Sequence, residues 1–137
     1  MSALVIDCSA AIAWCFEDEA SDAADSLLSR VASEGAVVPV LWHLEVANVL
    51  IQAARRGRIT ADDADTRLRL MAALPITTDP ETSVRAWHDT LALARAEGLT
   101  AYDAAYLELA ARRRLPLATW DRDLAEAARR RGLTVLP

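Results

Sequence analysis

The stretch "ALVIDCSAA", residues 3–11, decides how the chain folds. Leu4, Val5 and Ile6 form an unbroken apolar run, as expected of a short strand buried on both faces. We assign the strand to residues 3–7, with Ser9 capping a short helix over 10–15. The strand runs directly into Asp7. Desolvating an unpaired carboxylate costs several kcal/mol, so Asp7 needs a partner at the mouth of the core.

Working outward, short apolar runs alternate with helical patterns. A helix over 20–34 stops at Gly35, and "AVVPV" (36–40) is the second strand, with Pro39 near its end. A strongly apolar helix over 41–56 closes at Gly57. "TADD" from Thr60 is a capping box that starts a helix to Ala73. "LPITT" (74–78) is a third strand. Asp79 is expected to cap a helix that has Pro80 in its first turn and runs through Glu97 to Gly98. Thr100 caps a helix over 101–113, "LPLAT" (115–119) is a buried strand, 122–131 is helical to Gly132, and "LTVL" (133–136) is the last strand. This alternation predicts an α/β fold with helices covering both faces of a parallel sheet of four to five short strands. Ligands of such sheets bind beyond the carboxyl ends of the strands, where the strand order reverses.

The bulk properties agree with one domain over residues 1–137. An apolar fraction of 53% supplies a core without a disulfide or metal staple. No run approaches the roughly 18 apolar residues of a membrane span, and no leader is expected, so the chain reads as cytoplasmic. Cys8 and Cys15 read as reduced core residues, and with His43 and His88 they match no zinc pattern. The net charge is −5, and all fifteen cations are Arg. They cluster at helix ends: Arg55, Arg56 and Arg58; Arg112 to Arg114; Arg129 to Arg131. Complementing helix dipoles is the plainer role for these clusters, and holding phosphates the sharper one. The acidic total argues against a broad duplex binder.

Four acids fall where the sheet opens. Asp7 follows the first strand, Glu45 sits one turn into the helix after the second, Asp103 lies near the start of the 101–113 helix, and Asp121 follows "LPLAT". Taken singly, each has an ordinary explanation: an Asx-turn, a dipole-complementing acid, a capping box, an N-cap. Together they are harder to dismiss. Asp103 shares a helical stripe with Tyr106, Leu107 and Ala110, and Glu45 shares a face with Asn48. Two like charges about 4 Å apart repel by roughly 4 kcal/mol at an effective dielectric near 20. If the four converge, a cation or a proton must offset them, and an all-oxygen set selects Mg²⁺ or Mn²⁺.

"VIDCSAAIAW", "HLEVANVL", "LTAYDAAYLELA" and "LATWDRDLAEAA", in that order, resemble the four acidic motifs of PIN-domain ribonucleases, and most closely the VapC toxins of bacterial toxin–antitoxin pairs. The resemblance covers essentially the whole chain. It implies a PIN-like three-layer α/β/α sandwich and makes Asp7, Glu45, Asp103 and Asp121 the catalytic, metal-holding quartet. Ser9, Asn48 and Thr119 match the family's supporting polar positions, and Asp123 is a further candidate. The implied activity is Mg²⁺-dependent endoribonuclease action (Mn²⁺ as an alternative), hydrolysing RNA phosphodiester bonds with a metal-activated water. The implied partners are a VapB-type antitoxin, an RNA substrate such as tRNA or rRNA, and a second copy in a homodimer or a higher toxin–antitoxin assembly. Two other readings compete. An Asp7-dependent phosphatase is disfavoured by Cys8-Ser9 after the acid and by the absence of Lys. A non-catalytic Mg²⁺-binding scaffold would sequester a partner. Trp14, Trp42 and Trp120 are candidates for stacking on bases, with core or interface packing the plainer role.

Overall fold

The computed structural model describes residues 3–137. Strand β1 spans Leu4–Ile6 and leads into helix α1, Cys8–Ile12. A 3₁₀ turn at Glu17–Glu19 precedes α2, Asp22–Glu34, then β2, Ala36–Val38. Helices α3, Leu41–Arg55, and α4, Ala61–Ala72, lead to β3, Ile76–Thr78. A helical run follows, made of α5, Thr82–Arg85, a π-helical turn, Ala86–Thr90, and α6, Leu91–Glu97. Helix α7, Ala101–Arg113, β4, Leu117–Ala118, α8, Arg122–Arg130, and β5, Val135–Leu136, complete the chain.

All five strands are parallel, in the order β3-β2-β1-β4-β5. Val5 pairs with Val37 on one side and Leu117 on the other. Helices flank the sheet as a three-layer α/β/α sandwich. Leu4, Val5 and Ile6 are fully buried because β1 is the central strand, and burial on both faces is what a continuous apolar run supplies. The chain moves from β1 through β2 to β3 in one direction and then returns to β4 and β5 on the other side. The reversal opens a crevice between the carboxyl ends of β1 and β4, and Asp7 and Thr119 both lie there.

Helix α7 carries the core. Ala104 through Ala110 are all buried, Tyr106 being the largest side chain among them. Gly35 holds the junction between α2 and β2 at φ +83°, where a Cβ would meet the Pro75 carbonyl at 3.1 Å.

Several boundaries differ from the sequence expectation. Asp7, not Ser9, caps the first helix: its Oδ1 accepts the Ala10 N–H at 2.9 Å, while the Ser9 hydroxyl donates to Asp7. That helix ends at Ile12, and α2 starts at Asp22 behind a Ser21 cap. Strands β4 and β5 are two residues each. Asp79 does not cap a helix starting at Pro80. Its carboxylate accepts the Glu81 N–H and is clamped by Arg112 and Arg113, so the helix begins at Thr82.

The Arg clusters form cross-links more than dipole caps. Arg112 and Arg113 bind the buried Asp79, Arg112 also binds Glu108, and Arg130 and Arg131 share Glu97. Arg58 pairs with Asp18 and Glu19 and lies over the Phe16 ring, 3.7 Å from its centroid. No helix among the described residues is long and apolar enough to cross a membrane.

Candidate active site

Asp7 is held from three sides. Its Oδ1 accepts from the Ser9 hydroxyl at 2.7 Å and from the Ala10 N–H at 2.9 Å, and its Oδ2 accepts from the Thr119 hydroxyl. Burial pushes its carboxyl above the ordinary range. The bonds from Thr119, Ala10 and Ser9 pull it back, and the nearby Asp121 adds to the rise. These contacts answer the question posed by a carboxylate at the end of a buried strand.

The same bonds tie the two loops of the crevice together. Thr119 Oγ1 accepts the Asp121 N–H at 2.9 Å, and Ser9 Oγ accepts the Trp120 N–H at 2.9 Å. Asp121 caps α8, its Oδ1 accepting the Leu124 N–H at 2.9 Å. Ser9 and Thr119 are therefore structural ties across the switch point, supporting Asp7 from both strands.

Asp103 illustrates how a common motif can be put to another use. In α4 the Thr60 hydroxyl accepts the Asp63 N–H and the Asp63 carboxylate returns to the Thr60 N–H, a complete capping box. In α7 the Thr100 hydroxyl accepts the Asp103 N–H at 3.1 Å, but the Asp103 carboxylate does not return. That carboxylate instead shares the crevice, where burial and then the charges of Asp121, Asp7, Glu45 and Asp123 raise its pKa to about 6. The other three quartet positions, with Asp123, thus lie within electrostatic reach of Asp103.

Glu45 enters from α3. Its Oε1 accepts the hydroxyl of Tyr106, which stands one turn beyond Asp103 on α7. Burial raises the Glu45 pKa, the Tyr106 bond lowers it, and Asp7 raises it again. Tyr106 is 1% exposed, and both burial and donation to Glu45 push its own pKa up. Its role was missed at the sequence level, although a buried phenol in an Ala- and Leu-rich face requires an acceptor. Cys8, expected in the core, lies half-buried at the site instead, its thiol pushed up to about 12 by burial and by Glu45 and Asp7. Asn48 is exposed, as is Asp123.

The donors fit a hard cation in kind, being carboxylates and hydroxyls with no imidazole among them. Among the described residues, no three of the site's acids close into a ready-made ligand group. The carboxylates share a field without sharing one ligand geometry. Of the aromatics, Trp42 is buried and Trp14 donates to the Ala24 carbonyl at 3.0 Å, which gives both a packing role, while Trp120 is 41% exposed.

The PIN domain family model matches residues 4–130. Ribonuclease VapC3 of Pyrobaculum aerophilum is 36% identical over 123 residues, covering 90% of this chain and 92% of that protein. The crystal structure of PAE2754 from Pyrobaculum aerophilum superposes with a TM-score of 0.71 at 25% identity, covering 98% of this chain and 89% of the other. By the family model and by the VapC3 relative alike, and with a sheet order that agrees, this chain belongs to the PIN-domain family, among its VapC-type members.

Proposed function

We propose that the chain is a metal-dependent endoribonuclease, the toxin of a toxin–antitoxin pair, acting in the cytoplasm on RNA such as tRNA or rRNA. The observation that carries this reading is Asp103: a half-buried carboxylate, raised to about 6 by burial first and then by acids from three other elements, suits a site that concentrates negative charge for a cation. The name of the relative, a ribonuclease, supports RNA as substrate.

Asp7, Glu45, Asp103 and Asp121 would hold Mg²⁺ or Mn²⁺. A bound divalent ion supplies charge neutralisation at phosphate oxygens and a more acidic water. The chain's own residues do the rest. Asp7 has three of its lone-pair sites occupied, which leaves one on Oδ2 and suits it to ligation rather than to nucleophilic attack. Ser9 and Thr119 hold it in that orientation. Tyr106 fixes Oε1 of Glu45 and leaves Oε2 without a hydrogen bond among the described residues. Asp103 has no competing hydrogen bond of its own among the described residues. Asn48 and Asp123 lie at the exposed margin, placed to contact substrate or water. A VapB-type antitoxin and a second copy of the chain complete the proposed assembly.

Cleavage of total RNA in Mg²⁺ against EDTA, with the ends mapped, tests this reading. It predicts Mg²⁺-dependent products with 5′-phosphate and 3′-hydroxyl ends, lost in Asp103→Asn. Cleavage that persists in EDTA, or 2′,3′-cyclic phosphate ends, would contradict it.

A further inference from the structure

Beside Asp121, between the start of α8 and the end of β5, the structure carries a cavity of about 270 Å³. Thr119 and Asp121 form its inner wall, Leu136 its apolar floor, and Trp120, Arg122 and Arg129 its exposed rim. The cavity thus shares Thr119 and Asp121 with the acidic crevice. Its volume falls at the small end of ligand cavities, about 300 Å³, enough for one base rather than a stacked duplex.

The two arginines stand apart from their neighbours. Arg130 and Arg131 are spent on Glu97, and Arg112 and Arg113 on Asp79, whereas Arg122 and Arg129 make no ion pair among the described residues. They lie seven residues apart on α8, two turns, and so share a face. Arg122 also occupies the first helical position, where the helix dipole disfavours a cation. Cations kept free beside an anionic site, in a chain of net charge −5, are placed for an anion arriving from outside. Trp120 supplies the other half of a nucleotide's chemistry. Its backbone is pinned to Ser9 at 2.9 Å while the residue is 41% exposed. A ring held on a fixed backbone at a cleft edge is a stacking platform for an unpaired base.

We infer that Trp120, Arg122 and Arg129 form a subsite for the nucleotide adjoining the scissile phosphate, with Trp120 stacking on its base and the arginines holding its phosphate. The inference rests on the nuclease reading for its substrate, but its test is separable from that reading.

The test uses full-length protein carrying Asp103→Asn, so that RNA is bound without turnover, and a fluorescein-labelled single-stranded oligoribonucleotide. Trp120→Ala should weaken binding about tenfold, with Trp120→Phe retaining most of the affinity. Arg122→Ala with Arg129→Ala should weaken binding and flatten the dependence of log Kd on log salt by about 0.7 for each phosphate no longer neutralised. In the cleaving enzyme the same changes should raise KM and leave kcat within about twofold. Should Trp120→Ala destabilise the fold, Trp120→Phe and the Arg pair, checked by thermal melts, decide the matter. Unchanged affinity and salt slope in these variants would overturn the subsite. So would altered sedimentation mass with unaltered RNA affinity, which would assign the pocket to a protein partner. An enzyme that still cleaves in Mg²⁺, with KM unmoved by these changes, loses the subsite and keeps the nuclease reading. Failure of the intact chain to bind single-stranded RNA overturns the subsite, and only failure to cleave total RNA in Mg²⁺ overturns the nuclease reading as well.

Discussion

The Tyr106 hydroxyl reaches from α7 to Glu45 on α3, joining positions 61 residues apart in the chain. The bond fixes one oxygen of the only site acid supplied by α3 and leaves the other without a hydrogen bond among the described residues. Tyr106→Phe should keep the fold, at a cost of about 1–2 kcal/mol for a lost bond to a charged acceptor that is partly solvated. It should weaken Mn²⁺ binding about tenfold, the usual order for removing a group that orients a metal-holding side chain. Calorimetric titration with Mn²⁺ checks this, and unaltered affinity would show that Tyr106 only fills the core.

Thr119 plays the matching part for Asp7. Because Asp7 is 4% exposed, Thr119→Val should cost about 2–3 kcal/mol and reduce cleavage, whereas Thr119→Ser should restore both by keeping the hydroxyl. Equal melts for the Val and Ser variants would mean the methyl group, not the hydroxyl, carries the position.

Asp103 makes a prediction about pH. Its folded pKa of about 6 exceeds the ordinary 3.8, so the folded state penalises its ionised form. The penalty is fully present above about pH 6 and absent below about pH 4. In EDTA, Asp103→Asn should therefore raise Tm at pH 7, and the gain should vanish as pH falls to 4. A lower Tm at pH 7 would assign Asp103 a structural role.

Asp79 works with the opposite sign. It is 1% exposed, and Arg112 then Arg113 hold it down at about 2 against the burial that would raise it. Its stabilising contribution, about 2 kcal/mol, is fully present above about pH 4 and is lost as pH falls through 2. Asp79→Asn should be less stable than the parent chain by that amount at pH 7 and nearly equal to it at pH 2. Denaturant melts at the two pH values measure the difference.

What was legible in the sequence depended on how far each residue's partner lay along the chain. The strands, the parallel sheet and the caps at Thr60 and Thr100 follow from local patterns, and the structure has them. The positions of Asp7, Glu45, Asp103 and Asp121 at the carboxyl ends of strands or the starts of helices were also visible, because apolar runs mark where strands stop. Asp79 was misread because Asp before Pro looks like a cap, and its true partners stand 33 and 34 residues later on α7. Tyr106 looked like an ordinary core residue for the same reason, since its acceptor lies on another helix. Ser9 lost its capping role to Asp7 because one carboxylate oxygen can serve both a hydroxyl and a helix N–H.

The central claim is that Asp7, Glu45, Asp103 and Asp121 surround one cation. Crystals of the chain soaked in Mn²⁺, with anomalous data, test it directly. The account predicts a peak in the crevice between β1 and β4, with carboxylate oxygens of Asp7 and Asp103 at about 2.1–2.2 Å, weakened or lost in Asp103→Asn. A peak elsewhere, or an empty crevice at saturating Mn²⁺ with the four acids turned apart, would contradict it.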